Sequence, residues 1–113
     1  MGTMERSSQL LKGVLDMCLL ALISEEPSYG YEMVGKLQDR GLTLVSEGSI
    51  YPLLSRLQRR RLVEAYFEES KEGPPRKYYR IRREGRTELA RWQDEWKTLS
   101  DGVNTVLNGG RDD

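Results

Sequence analysis

The sequence contains no histidine, one cysteine, one phenylalanine and no net charge. Without histidine it lacks the commonest general base, any histidine-containing zinc site and any Ser-His triad. The lone thiol, Cys18, cannot close an internal disulfide, and its neighbours Leu15, Leu19 and Leu20 mark it as a small apolar core residue. Long apolar runs are absent too. The longest, Met17 to Ile23, follows Lys12 and Asp16 and is too short to span a bilayer or serve as a signal peptide, so a cytoplasmic protein with no membrane partner is expected. The carboxylates are scattered, with no nucleophile, base and orienting group in sight, and no Gly-rich phosphate loop follows a strand. An enzyme is therefore not expected, nor a metal or a cofactor.

What is present fits one folded domain of 113 residues, 37% hydrophobic and 32% charged. The zero net charge conceals an asymmetry. Residues 1–55 carry 4 basic and 7 acidic side chains, residues 56–86 carry 11 and 5, and residues 87–113 carry 3 and 6. Positive charge concentrated in one short stretch suits a polyanion-binding face. It equally suits a solvated surface, and only position along the fold can choose between them.

Residues 1–8 are polar and read as a flexible N-terminus, with Met4 an alternative natural start after a foreign Met1 to Thr3. From Gln9 to Ile23, Leu11, Val14, Leu15, Cys18, Leu19 and Leu22 recur at helical spacing and predict one helix buried on more than one side. Ser28 is a candidate N-cap for a second helix running to about Arg40, with Gly41 as its stop. A third helix carries Ile50, Leu53, Leu54 and Leu57 on one face and Ser49, Arg56 and Arg59 on the other; Pro52 favours a start near Gly48 or Ser49. Leu62 to Glu69 and Arg76 to Arg82 alternate around a Lys71 to Pro75 turn and predict a β-hairpin. Leu89, Trp92, Trp96, Leu99, Val103 and Val106 follow a 3-4 spacing, the seam of a helix that pairs with a partner. The expected architecture is mainly α with a small β-hairpin: a winged helix-turn-helix DNA-binding domain over residues 9–82, a long C-terminal dimerisation helix over 83–107 and a flexible tail over 108–113.

Four segments in order, Tyr29-Gly30-Tyr31-Glu32, Gly48-Ser49-Ile50-Tyr51-Pro52-Leu53-Leu54, Arg56-Leu57 and Gly73-Pro74-Pro75-Arg76-Lys77-Tyr78-Tyr79, resemble the PadR family of transcriptional regulators, in its short subfamily with a single dimerisation helix. The resemblance implies a homodimer that binds double-stranded DNA, most often as a repressor. In some relatives aromatic residues of the dimerisation helix line a cavity at the subunit interface that accepts flat, apolar or phenolic effectors, a use open to Trp92 and Trp96 here. Two positions depart from the family pattern. Arg61 stands where glycine usually ends the third helix, and Arg82 where a threonine commonly caps the last, so both helix ends are expected to differ.

The candidate DNA contacts are Tyr29, carried over with its motif, Ser49 and Tyr51 at the start of the third helix, Arg56 and Arg59 further along it, and Lys71, Arg76 and Lys77 in the wing. Each has a plainer use. Tyr51 also fits a half-buried core aromatic, Ser49 a helix N-cap, and the wing cations solvated turn charges. Leu89, Trp92, Trp96, Leu99 and Val103 are the candidate effector or dimer-interface residues, and an ordinary hydrophobic interface explains them as well as a ligand cavity does. The competing function is a winged-helix protein-interaction module without sequence-specific DNA binding.

Overall fold

The computed structural model describes residues 3–110. Its order is α1 (Thr3–Lys12), α2 (Leu15–Glu25), β1 (Ser28–Tyr29), α3 (Gly30–Asp39), α4 (Glu47–Arg59), β2 (Val63–Ser70), β3 (Gly73–Ile81) and α5 (Arg83–Leu107). The core gathers Leu15, Leu19, Leu22 and Ile23 of α2 with Met33 and Leu37 of α3, Ile50, Leu54 and Leu57 of α4, and Val63, Tyr79 and Leu89. The central helix α2 is apolar on all sides because it packs against α3, α4, α5 and the sheet. No single helix among the described residues is long and apolar enough to cross a membrane.

Several expected boundaries are corrected. Residues expected to be flexible from Ser8 back to Thr3 lie within a helix, while Met1 and Gly2, and Arg111 to Asp113 of the expected tail, fall outside the described residues. The single helix expected from Gln9 to Ile23 is two helices meeting at 54°. At the break the Gly13 and Val14 amides bond three residues back, to the Leu10 and Leu11 carbonyls, instead of four. Ser28 does not cap a helix. It is buried in a two-residue strand paired with Tyr79 of β3, and its hydroxyl donates to the Glu26 carbonyl at 3.1 Å and accepts from Lys36 Nζ at 3.3 Å. The hairpin is thus the greater part of an antiparallel three-stranded sheet, ordered β1-β3-β2.

The hairpin turn is also tighter than expected, since Ser70 pairs with Gly73 and leaves only Lys71 and Glu72 between the strands. Pro74 and Pro75 lie in β3, beside a register shift between Glu68 and Ser70. They are tolerated in the middle strand because β1 pairs only with Tyr78 and Tyr79, so this end of β3 has an open edge. Pro52, expected in the first turn of α4, is its sixth residue and leaves the Gly48 carbonyl without its usual amide partner.

Helix α4 ends as a glycine-terminated helix would, without glycine. The Leu62 amide bonds the Leu57 carbonyl at 3.0 Å and the Arg61 amide bonds the Gln58 carbonyl at 2.9 Å, a Schellman closure with Arg61 at φ 61°. The expected difference in this helix end therefore does not arise; the arginine adopts the left-handed conformation instead. Arg61→Gly is expected to raise the free energy of unfolding by about 1 kcal/mol, read by urea denaturation. No gain would mean that the arginine side chain offsets its backbone strain. At α5, Arg82 occupies the N-cap without a side-chain cap hydrogen bond, in line with the missing threonine.

Candidate nucleic-acid interface

The groove between helix α4 and the hairpin is built from the sheet outward. On the outer sheet face Tyr66 stacks on Tyr78 with centroids 5.7 Å apart, and Tyr78 meets Tyr29 edge-on at 5.3 Å. Arg76 closes this ladder: its guanidinium lies 4.6 Å from the Tyr29 ring centroid and donates to the Tyr29 hydroxyl at 3.2 Å. On the other face Tyr79 is buried, with the Lys77 ammonium 5.6 Å above its ring. An open groove of about 530 Å³ results, lined by Tyr29, Gly30, Tyr31, Tyr51, Ser55, Arg76, Lys77 and Tyr79. Four of the expected contact residues, Tyr29, Tyr51, Arg76 and Lys77, are thus brought together.

Tyr51 enters this groove because position 30 has no side chain. A Cβ on Gly30 would stand 2.8 Å from the Tyr51 ring and hydroxyl. The ring is 43% exposed, neither core nor fully solvated. Its hydroxyl donates to Glu47 Oε2 at 3.4 Å, and partial burial, with the nearby Glu47 carboxylate, raises the phenol above its ordinary pKa. Burial raises the Tyr79 phenol as well.

Along α4, Gly48, Ser49, Pro52, Ser55, Arg56 and Arg59 share one exposed face. Short side chains at one end let the backbone approach a partner closely, and arginines follow at the other. Ser49 is engaged at the helix start, where its hydroxyl donates to the Ser46 carbonyl at 2.7 Å and accepts from the Ser46 amide at 3.1 Å. With its one proton turned inward, it has none for a phosphate oxygen. Sequence reasoning missed Tyr31, 68% exposed, and Ser55. The first sat within the quoted Tyr-Gly-Tyr motif, and the second lies on the same helical face as Arg59.

The cations divide into two groups. Lys36, Arg40, Arg60, Arg80, Arg82, Arg91 and Lys97 pair with neighbouring carboxylates. Arg60 is held at 2.6 Å by Glu88 and lies 5.6 Å from the Trp92 ring, so it is committed to joining α4 to α5. Among the described residues Arg56, Arg59, Lys71, Arg76 and Lys77 make no ion pair, as is also true of Arg61, Arg83 and Arg86 at the α4–α5 junction. At the wing tip Lys71 and Glu72 form the two-residue turn, both exposed, while Glu68 stands opposite Arg76 in the register. The unpaired positive charge of the hairpin that lines the groove is at Arg76 and Lys77.

Two short helices, the second with a small-residue face, followed by a hairpin whose cations line the same groove, describe a winged helix. Residues 19–91 match the model of the Transcriptional regulator PadR-like family. The chain belongs to that family. A PadR-like transcriptional regulator from Bacillus cereus is 48% identical, with a TM-score of 0.78 over 88% of this chain and 96% of that one. A PadR family regulator from Eggerthella lenta is 34% identical, with a TM-score of 0.82 over 91% and 89% of the two chains. An uncharacterized protein of Lysinibacillus sphaericus is 31% identical over 104 residues, 90% of this chain and 95% of its own length. The chain is thus a PadR-like transcriptional regulator with a DNA-binding winged helix, and not an enzyme.

The PadR-like chain has a second face of interest on α5. Leu89 is buried in the core and Trp92 packs against it. Beyond them Trp96, Leu99, Val103, Val106 and Leu107 are exposed, as is Leu10 of α1. An open groove of about 360 Å³ lies where the α1–α2 bend faces α5, lined in part by Val14, Met17, Trp92, Trp96 and Leu99. Burial, and then Asp16, push the nearby Cys18 thiol above its ordinary pKa, which disfavours the thiolate.

Proposed function

We propose that this PadR-like regulator is a homodimeric, sequence-specific repressor that works in the cytoplasm, entering the major groove of its operator with α4 and flanking it with the wing. The observation that carries the reading is the unpaired set Arg56, Arg59, Arg76 and Lys77 beside the small-residue face of α4. Cations without carboxylate partners are available to phosphates, and short side chains admit the helix to the groove floor. Two copies join through the apolar stripe of α5. A flat apolar effector seats against Trp96 in the groove at the α1–α2 bend and, by shifting α5, changes the spacing of the two heads.

The test is titration of the purified protein against a duplex from upstream of its own gene and against unrelated duplex, at several salt concentrations. Nanomolar binding to one and far weaker binding to the other supports an operator; equal binding to both overturns it. Arg76→Ala is expected to weaken binding to every sequence and to lower the log–log salt slope by about one. Lys71→Ala is expected to change the slope less than Arg76→Ala does, because Lys71 lies in the hairpin turn and does not line the groove.

A further inference from the structure

We infer that Glu47, in the first turn of α4, reads the exocyclic amine of a cytosine in the major groove. The inference rests on the operator-reading function proposed above and adds to it a specificity-determining residue absent from the set of cationic contacts. Glu47 is exposed at the leading end of the helix that carries Arg56 and Arg59, yet among the described residues it makes no ion pair. At the leading end of a helix set against a polyanion, an unpaired carboxylate weakens binding unless it finds a donor.

The hydroxyl proton that reaches Glu47 is used within the pair it forms with Tyr51. The Tyr51 hydroxyl turns its proton to Glu47 Oε2 at 3.4 Å, so the pair offers lone pairs outward. Tyr51 is held in turn by the close contact over Gly30, which keeps the carboxylate in place before DNA arrives. Phosphates, guanine N7 and O6, and thymine O4 are all acceptors and repel such a pair. The donors displayed in the major groove are cytosine N4 and adenine N6. Beside adenine N6 stands the N7 acceptor, which would face the second carboxylate oxygen; beside cytosine N4 on the same base stands only a C–H. Cytosine is therefore the base that fits.

A carboxylate in the first turn also favours the helix dipole, but that role is indifferent to which base pair lies opposite. Selection of bound duplexes from a randomised pool, with the full-length protein and with Glu47→Gln and Glu47→Asp, separates the two. The wild type is expected to prefer cytosine at one position of each half-site. Glu47→Gln is expected to lose at least tenfold of that preference and shift toward adenine, which a glutamine amide can bond at both N6 and N7. Glu47→Asp keeps the charge and the dipole interaction but shortens the reach, so it is expected to lose the preference with an unchanged melting temperature. Cytosine preference retained by both variants, with Glu47→Gln merely binding all sequences more tightly, overturns the role of Glu47 alone. A wild type with no base preference anywhere overturns the operator-reading function and this inference with it.

Discussion

Gly85→Ala is expected to cost about 3 kcal/mol of stability and to lower the melting temperature by about 10–20 °C, read by circular dichroism. Gly85 is buried in the first turn of α5, and a Cβ there would stand 2.1 Å from the Leu62 carbonyl oxygen and 2.8 Å from Ile81 Cγ1. The isoleucine tip can rotate away; the carbonyl cannot. It accepts the Arg82 amide at 2.9 Å, while the Leu62 amide closes the end of α4 on Leu57. Relieving the clash therefore means separating the end of α4 from the start of α5, where the Arg60–Glu88 pair also lies. Gly35→Ala is the matched control. It lies in α3 with nothing within 4 Å of its virtual Cβ, and is expected to gain about 0.5–1 kcal/mol. A loss below about 1 kcal/mol for Gly85→Ala would show that α5 can slide away from Leu62 without consequence.

The contact at Gly85 also marks what the sequence could reveal. Helices α3, α4 and α5 and the hairpin were legible because each has one apolar face, and apolar spacing reports a face directly. The break at Gly13 was not legible. Helices α1 and α2 both carry apolar residues on the same stripe, so periodicity runs through the bend without interruption. Strand β1 was hidden for a different reason: two residues give no alternation, and Ser28 pairs with Tyr79, fifty-one positions away in the chain. Pro52 and Arg61 were misleading because local preference was overridden, by the Ser46–Ser49 capping box that starts α4 early and by the Leu62 bond that closes it.

At the candidate site the types of residue were readable and their partners were not. Arg56, Arg59 and Arg60 are alike in sequence, but only Arg60 meets a carboxylate, Glu88, twenty-eight positions on. Lys71 looked like Arg76, but it falls in the two-residue turn while Arg76 lines the groove. Glu47 drew no attention as an acid in a cationic neighbourhood, because a first-turn glutamate is what any helix start prefers.

Leu99→Asp is expected to turn the proposed dimer into a monomer and to weaken operator binding by a factor of about 100 or more, because each head then binds its half-site without the local concentration that the partner provides. Leu99 is 61% exposed within the subunit and takes no part in its core, so the substitution leaves the subunit fold intact. On α5 it lies between Trp96 and Val103, 47% exposed each, in a stripe that continues to Val106. Such a row of large apolar groups is stable in water only when another surface covers it, and a 3-4 spacing suits a second copy of the same helix. An aspartate there would be buried without a partner charge, at a penalty of several kcal/mol. Sedimentation velocity reads the mass and a titration on the preferred duplex reads the affinity. A Leu99→Asp protein that sediments as a dimer and binds as the wild type does would move the interface off this stripe. A monomer with unchanged operator affinity would keep the interface and remove the need for two heads.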